Sequence, residues 1–180
     1  VSAARELFSA GYRTPQQMRN ASWRQRVQAL GRGRYRRYDE RTATMLGQTA
    51  DLVLQRWNGD LRQLHAEAGD DPQRITPLLI EFKGIGPVGA QIFLREVQSV
   101  WPGICPYFDS RARQGAERVG LSSSTESLAA LAPSPQEAAA LAAALVRLRL
   151  NSRAGDSVVR AAGRGTGCPN GPSDHLRERH

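Results

Sequence analysis

Apolar residues recur along this chain at the three- and four-residue spacing of amphipathic helices. No window of alternating apolar and polar residues is long enough to predict a strand. The clearest stripe predicts a long helix from about Arg36 to Trp57, ended by Asn58-Gly59. The apolar face of this helix is expected to consist of Leu46, Ala50, Val53, Leu54 and Trp57. The pattern therefore predicts an all-α fold.

Capping residues and prolines divide the flanking sequence into shorter helices. Helix starts are predicted at Thr14-Pro15, Ser22, Asp60 and Asp71-Pro72. The helix that opens at Asp71 is expected to end near Phe82, with Leu78, Leu79 and Phe82 buried. The next begins at Pro87 and ends before Pro102, and its apolar residues at helical spacing are Val88, Ile92, Phe93 and Val97. Two helices therefore flank Lys83-Gly84-Ile85-Gly86.

The second half of the chain predicts two further helices and a tail. One spans Arg111 to Val119, begins after Asp109 or Ser110 and is closed by Gly120. The other runs from about Ser134 to Asn151 with one apolar face, formed by Ala138, Leu141, Ala142, Leu145 and Leu148. Because the remaining sequence is rich in glycine, proline and charge, we expect one helical domain over residues 1–152 and a disordered tail over 153–180.

Composition excludes several classes of protein. The 180 residues are 40% apolar and 23% charged, as in ordinary globular proteins, and no apolar run approaches the ~20 residues of a spanning helix. The first residues do not form a secretory signal, so we expect a cytoplasmic, nucleoid-associated protein. Cys105 and Cys168 are the only cysteines, which excludes four-thiolate zinc sites and iron-sulfur clusters.

The excess of positive charge favours binding of the protein to a polyanion. The net charge is +8, and Lys83 is the single lysine among 25 basic residues. The arginine bias has two explanations that the sequence leaves open, genome composition or phosphate binding. The densest cluster is GRGRYRRYDER, residues 31–41, which either lines a phosphate track or forms a solvated surface. Within this segment, the residues expected to line such a track are Arg32, Arg34, Tyr35, Arg36, Arg37 and Tyr38.

The Gly-Ile-Gly turn between two helices suggests a place for a phosphate. Glycines adopt positive φ and let an anion approach the main chain, while the N-terminus of the following helix presents amides to it. The expected contacts come from Gly84, Gly86 and the first residues of the second helix, including Val88 and Gly89, with Lys83 beside them and Ile85 anchoring the turn. A plain helix-helix corner without a ligand is the alternative.

The sequence around this turn resembles a known family. FKGIGPVGAQIFL resembles the helix-hairpin-helix of the endonuclease III superfamily of DNA glycosylases, the HhH-GPD family. YFDSRARQGAERVGL resembles the segment that carries the superfamily's catalytic aspartate, here Asp109, which follows Gly86 by 109 − 86 = 23 residues. The similarity covers about Ala4 to Ser152 and is strongest in its middle third.

The resemblance implies a function in base excision repair of DNA. Asp109 would face the sugar of a nucleotide flipped out of double-stranded DNA, stabilise the sugar cation and orient the attacking water. It would also cap the next helix, a role compatible with catalysis. Arg111, just after Asp109, would either lie near the same DNA backbone or serve only as a surface charge, and Arg34, Arg36 and Arg37 of the arginine-rich segment are separate candidates for DNA contact.

Departures from the family narrow this expectation. Members that also cut the backbone place a lysine where Val88 stands, so the resemblance implies a monofunctional glycosylase without strand cleavage. The family's optional iron-sulfur cluster needs four cysteines, so no cofactor is expected. The family also has leading helices before the segment that begins at Ala4. We therefore expect either a fragment or a site open on one side.

Two other functions remain open at this stage. In one alternative, the chain is an inactive relative that binds DNA through the helix-hairpin-helix. In the other, it is a helical protein-interaction domain in which the Gly-Ile-Gly turn is incidental. No membrane partner is expected, and the protein is expected to be a monomer.

Overall fold

The computed structural model describes residues 2–150, and the regular elements of that segment are all helical. The predicted all-α class is confirmed. The helices are α1 (Ser2–Ser9), α2 (Pro15–Asn20), α3 (Trp23–Arg32), α4 (Asp39–Trp57), α5 (Leu61–Ala68), α6 (Pro72–Ile80), α7 (Pro87–Val97), α8 (Ser110–Arg118), α9 (Thr125–Leu131) and α10 (Pro135–Leu150), with a 3-10 turn at Pro102–Ile104. Asn151 and the predicted tail over 153–180 lie outside the described residues.

The chain forms two compact units, the first ending at Tyr107 and the second beginning at Phe108. No helix in the described part is long and apolar enough to cross a bilayer.

The predicted helix starts are confirmed. Thr14 and Ser22 each accept a hydrogen bond from the backbone N–H three residues on, in reciprocal capping boxes. Asp60 and Asp71 cap α5 and α6 through the N–H groups of Arg62 and Gln73.

Two predicted boundaries are wrong by a few residues. The helix expected from Arg36 begins at Asp39, because the chain leaving α3 turns at Arg34 and reaches Asp39 through a loop. The helix expected to end near Phe82 ends at Ile80, because the Phe82 carbonyl closes a turn with the N–H of Ile85.

The core of the first unit is centred on Trp57, at the end of α4. Trp57 is 2% exposed, its ring lies 5.6 Å from that of Phe82, and its indole N–H donates to Glu67 of α5 at 2.8 Å. Arg56 forms ion pairs with Glu67, at 3.0 Å, and with Glu81. These contacts fasten α5 and the segment after α6 to the end of α4.

Only part of the apolar pattern of α7 faces the core, where Phe93 and Val97 pack half-buried. Ala90 and Leu94 are fully buried, whereas Val88 and Ile92 are 46% and 39% exposed. Ala90 and Leu94 are one helical turn apart, so they form the packed stripe, and the small alanine gives little hydrophobic signal in a sequence. Val88 and Ile92 therefore face outward.

A buried side chain fixes the end of the first unit. Gln98 is completely buried, and its amide pairs with the backbone of Tyr107 in both directions, donating to the carbonyl and accepting from the N–H at 2.9 Å each. The Gln98 amide thus satisfies both the N–H and the carbonyl of Tyr107, which have no backbone partner in a helix.

In the second unit, α10 packs on α8. Gly115 of α8 approaches the backbone carbonyl of Leu145 so closely that a Cβ has no room. The predicted face of α10 is buried at Ala138, Ala142 and Leu145, while Leu141 and Leu148 are half-buried. The short helix α9, capped by Ser124, was not predicted.

Replacing Glu67 by glutamine should reduce the acid sensitivity of this fold. The hydrogen bond from Trp57, followed by those from Arg56, lowers the pKa of Glu67 below its usual 4.5. Its stabilising effect is therefore complete above that value and is lost as pH falls through the lower pKa of the folded state. Urea unfolding followed by tryptophan fluorescence should show Glu67→Gln less stable than the parent at pH 7, with the difference shrinking toward about pH 3. Glu40→Gln, at the other end of α4, is the control; a difference that stays constant with pH would contradict the assignment.

Candidate nucleic-acid interface

The segment between α6 and α7 is an exposed, tightly held hairpin. The N–H of Ile85 donates to the carbonyl of Phe82 at 2.9 Å, and Gly84 has φ +94° at the third position of this turn, which only glycine adopts easily. Ile85 packs half-buried against the first unit's core, as predicted, and Phe82 is buried. Lys83, Gly84 and Gly86 are exposed. The turn therefore presents backbone to solvent on a rigid base.

The start of α7 offers unpaired amides. Gly86 is its N-cap and supplies no side-chain oxygen, Pro87 lacks an N–H, and the first turn holds no acidic residue. Among the described residues, no acceptor lies on the N–H groups of Gly86, Val88 and Gly89. Polar side chains cap the N-termini of α2, α3, α5, α6, α8 and α9. The N-terminus of α7 is left to an external anion or to water.

The arginine-rich segment is also exposed, and one of its residues has an unusual backbone. Arg34 has φ +60°, with its N–H on the carbonyl of Gly31 and the N–H of Tyr35 on the carbonyl of Leu30. This is the Schellman ending of a helix. The endings of α1 and α8 make the same pair of hydrogen bonds, with Gly11 and Gly120 at the left-handed position. Arginine at this position costs about 1 kcal/mol relative to glycine.

The remaining basic side chains of this segment differ in whether an acidic side chain already pairs with them. Arg36 and Arg37 are exposed, and the guanidinium of Arg37 lies 5.2 Å from the ring centroid of Tyr38. Arg32 forms an ion pair with Glu6 at 3.2 Å and is already occupied. Arg34, Arg36 and Arg37, three residues that the sequence singled out, are therefore exposed, and no ion pair is found on them within residues 2–150.

Met45 of α4 contacts the hairpin, and α4 begins where the arginine-rich loop ends. Its methyl group occupies the place that a Cβ on Gly84 would take. Met45 lies six residues into α4, which is about 9 Å of helix rise from Asp39, where the arginine-rich loop ends. Measured along the axis of α4, the residue that contacts the hairpin and the end of the arginine-rich loop are therefore about two helical turns apart. No feature of the sequence pointed to Met45.

Asp109 lies in the second unit, where it caps α8 as predicted. Its carboxylate accepts the N–H of Ala112 at 2.8 Å, and the residue is 3% exposed. Arg111, in the first turn of the same helix, is half-buried and Arg113 is exposed. The capping role is confirmed, and the catalytic role of Asp109 stays a prediction.

The described residues hold no group of three or more His, Cys, Asp or Glu side chains that could bind a metal ion. One pair that the sequence did not reveal is His65 and Asp70, 2.8 Å apart, with the imidazole stacked on Trp101 at 4.3 Å. The stacking of His65 on Trp101 joins α5 to the segment after α7, and Asp70 holds the imidazole from the end of α5.

No protein-family model, curated protein or solved structure matches this chain.

The two hairpin glycines should respond differently to alanine. Gly86→Ala places its methyl group in open space at φ −101°, so stability should change by less than about 0.5 kcal/mol. DNA affinity should fall roughly fivefold, because the methyl group blocks close approach to the α7 amides. Gly84→Ala introduces left-handed strain and displaces Met45, and should destabilise the protein by about 1–2 kcal/mol. Thermal unfolding and fluorescence anisotropy with labelled duplexes measure both effects; unchanged affinity in Gly86→Ala would contradict a backbone contact.

Arg34→Gly should stabilise the protein while weakening DNA binding. Removing the left-handed strain should add about 1 kcal/mol to the free energy of unfolding. Losing the phosphate contact that the sequence predicts for Arg34 should reduce the magnitude of the log-log salt slope by about 0.9. Arg24→Ala, an exposed arginine in the first turn of α3, is the charge-matched control. If Arg24→Ala weakens binding equally, the effect is general charge and not a contact of Arg34.

Proposed function

We propose that this protein is a DNA N-glycosylase of base excision repair that binds the backbone of double-stranded DNA through the α6–α7 hairpin. The observation that carries the proposal is the exposed N-terminus of α7, whose amides lack acceptors among the described residues. It lies in the very segment that resembles the helix-hairpin-helix of DNA glycosylases. The net charge of +8 supports a polyanionic partner.

Backbone binding follows from the chemistry of this turn. A phosphate oxygen accepts hydrogen bonds from the N–H groups of Gly86, Val88 and Gly89, at the positive end of the helix dipole. Lys83 adds positive charge beside this turn, and the exposed arginines at 34, 36 and 37 add positive charge to the same unit. Because these groups contact phosphate and not base edges, binding is independent of sequence.

Base removal is assigned to Asp109. The bond between the base and C1′ of the sugar breaks, the base leaves with the bonding electrons, and positive charge develops on the sugar. The carboxylate stabilises that charge and orients the water whose oxygen then bonds to C1′, and the proton that this water loses is transferred to the departing base. Since the residue is 3% exposed, an entering nucleoside must displace the groups that cover it.

Strand cleavage is not part of the proposal. The side chain at position 88 is an exposed valine without an amine, so no Schiff base forms there. Treatment with borohydride in the presence of substrate DNA should therefore trap no covalent adduct.

A second candidate is DNA binding without turnover. The burial of Asp109 favours it, because a fully covered cap needs no substrate to explain its presence. Both candidates require salt-dependent binding to duplex DNA.

Asp109→Asn separates the two candidates. Asparagine caps a helix as well as aspartate does, so we expect a folded variant with unchanged DNA affinity. Incubation with duplexes that contain uracil, alkylated purines or adenine opposite oxidised guanine should yield an abasic product with the parent protein and none with the variant. Equal product from both proteins would remove Asp109 from the mechanism.

Absence of product from the parent on every lesion would favour the binding module. Duplex affinity that does not change with salt would overturn both candidates, because neutralising Z phosphates gives a slope of about −0.9Z.

A further inference from the structure

A groove of about 520 Å³ lies between α6 and α7 in the first unit. Its walls include the rings of Pro77, Pro87 and Tyr107. Pro87 directly follows Gly86, so the groove begins one residue from the phosphate-binding turn. A volume of this size belongs to the range of small-ligand sites.

Two side-chain amides are among the polar groups of the groove. Gln73 and Gln91 both line it, and neither side chain has a hydrogen-bond partner among the described residues. Asp71 is the one charged residue in the lining, and no lysine or arginine contributes to it. The groove therefore disfavours phosphate, in contrast to the basic surface beside it.

Two further acceptors adjoin these amides. The interior proline of α6, Pro77, has no N–H to donate to the carbonyl of Gln73, so that carbonyl lacks its usual helical partner. The carboxylate of Asp71 contributes further acceptor capacity beyond its hydrogen bond to the N–H of Gln73, 2.8 Å. A ligand that brings N–H donors on a flat, apolar body matches both the walls and the polar groups.

We propose that this groove binds an unstacked nucleobase whose Watson–Crick edge places an exocyclic amino donor beside an acceptor ring nitrogen, that is, adenine or cytosine. The side-chain amide of Gln91 pairs with such an edge in both directions, accepting from the amino group and donating to the ring nitrogen. Tyr107 and the prolines provide faces for the base. This inference rests on the proposed function, because the base is delivered by a strand whose phosphate is held at Gly86.

The role of the groove is recognition, and no bond breaks there. A peptide ligand would satisfy some of the same amides, but it would not be delivered by a phosphate bound one residue away. Unpaired bases in an otherwise identical duplex are therefore the direct probe.

The test uses four labelled duplexes of one sequence, each with a single extra nucleotide that is adenine, cytosine, thymine or abasic. Anisotropy titrations at one salt concentration compare the parent with Gln91→Ala, Gln73→Ala and Gln55→Ala. Gln55 is an exposed residue of α4 outside the groove and serves as the matched control. Alanine has the highest helix propensity and all three positions are helical, so the variants should remain folded.

We expect the parent to bind the adenine or cytosine bulge at least about fivefold more tightly than the thymine and abasic bulges, the lower end of what one bidentate amide pair contributes. Gln91→Ala should abolish this preference and leave affinity for the abasic bulge unchanged, while Gln55→Ala should keep it. Gln73→Ala should reduce it.

Equal affinity for all four bulges, or a preference that survives Gln91→Ala, overturns the assignment of the groove and leaves backbone binding standing. If the parent shows no salt-dependent binding to any duplex, the proposed function fails together with this inference.

Discussion

The hydrogen bond between the indole of Trp57 and the carboxylate of Glu67 is the contact on which the hairpin's position depends. The indole N–H is buried, and a buried donor without an acceptor is costly. Glu67 satisfies it and is joined through Arg56 to Glu81, just before the turn. The ring of Phe82 stacks on Trp57 two residues before Gly84. One aromatic side chain thus connects the end of α4, helix α5 and the base of the hairpin.

On this base the structure combines rigidity with exposed backbone. Gly84 takes a left-handed conformation over the methyl group of Met45, and Gly86 opens α7 without a cap. Arg34 adopts the conformation that glycine has at the ends of α1 and α8. Strain at an exposed arginine and an uncapped helix start both reduce local stability. They are explained together if these positions bind an anion, since strained or unsatisfied groups are concentrated at functional sites.

The two units contribute different chemistry to the proposal. The first contains the hairpin, the exposed arginines at 34, 36 and 37 and the groove with Gln91, to which the proposal assigns strand binding and base recognition. The second contains Asp109, the group assigned to bond cleavage. Gln98 fixes the backbone of Tyr107, the last residue of the first unit, two positions before that carboxylate.

The sequence by itself determined the helical class, most helix starts and the glycine turn. Caps such as Thr14, Asp71 and Asp109 act on backbone N–H groups two or three residues away, so their hydrogen bonds can be predicted from neighbours in the chain. Only the tertiary structure decided which face of α7 is buried, which amides lack acceptors, and that Gln73 and Gln91 line one groove. Those features depend on how α4, α6 and α7 pack. Packing sums many weak contacts between distant segments, and a periodic sequence pattern does not specify that sum.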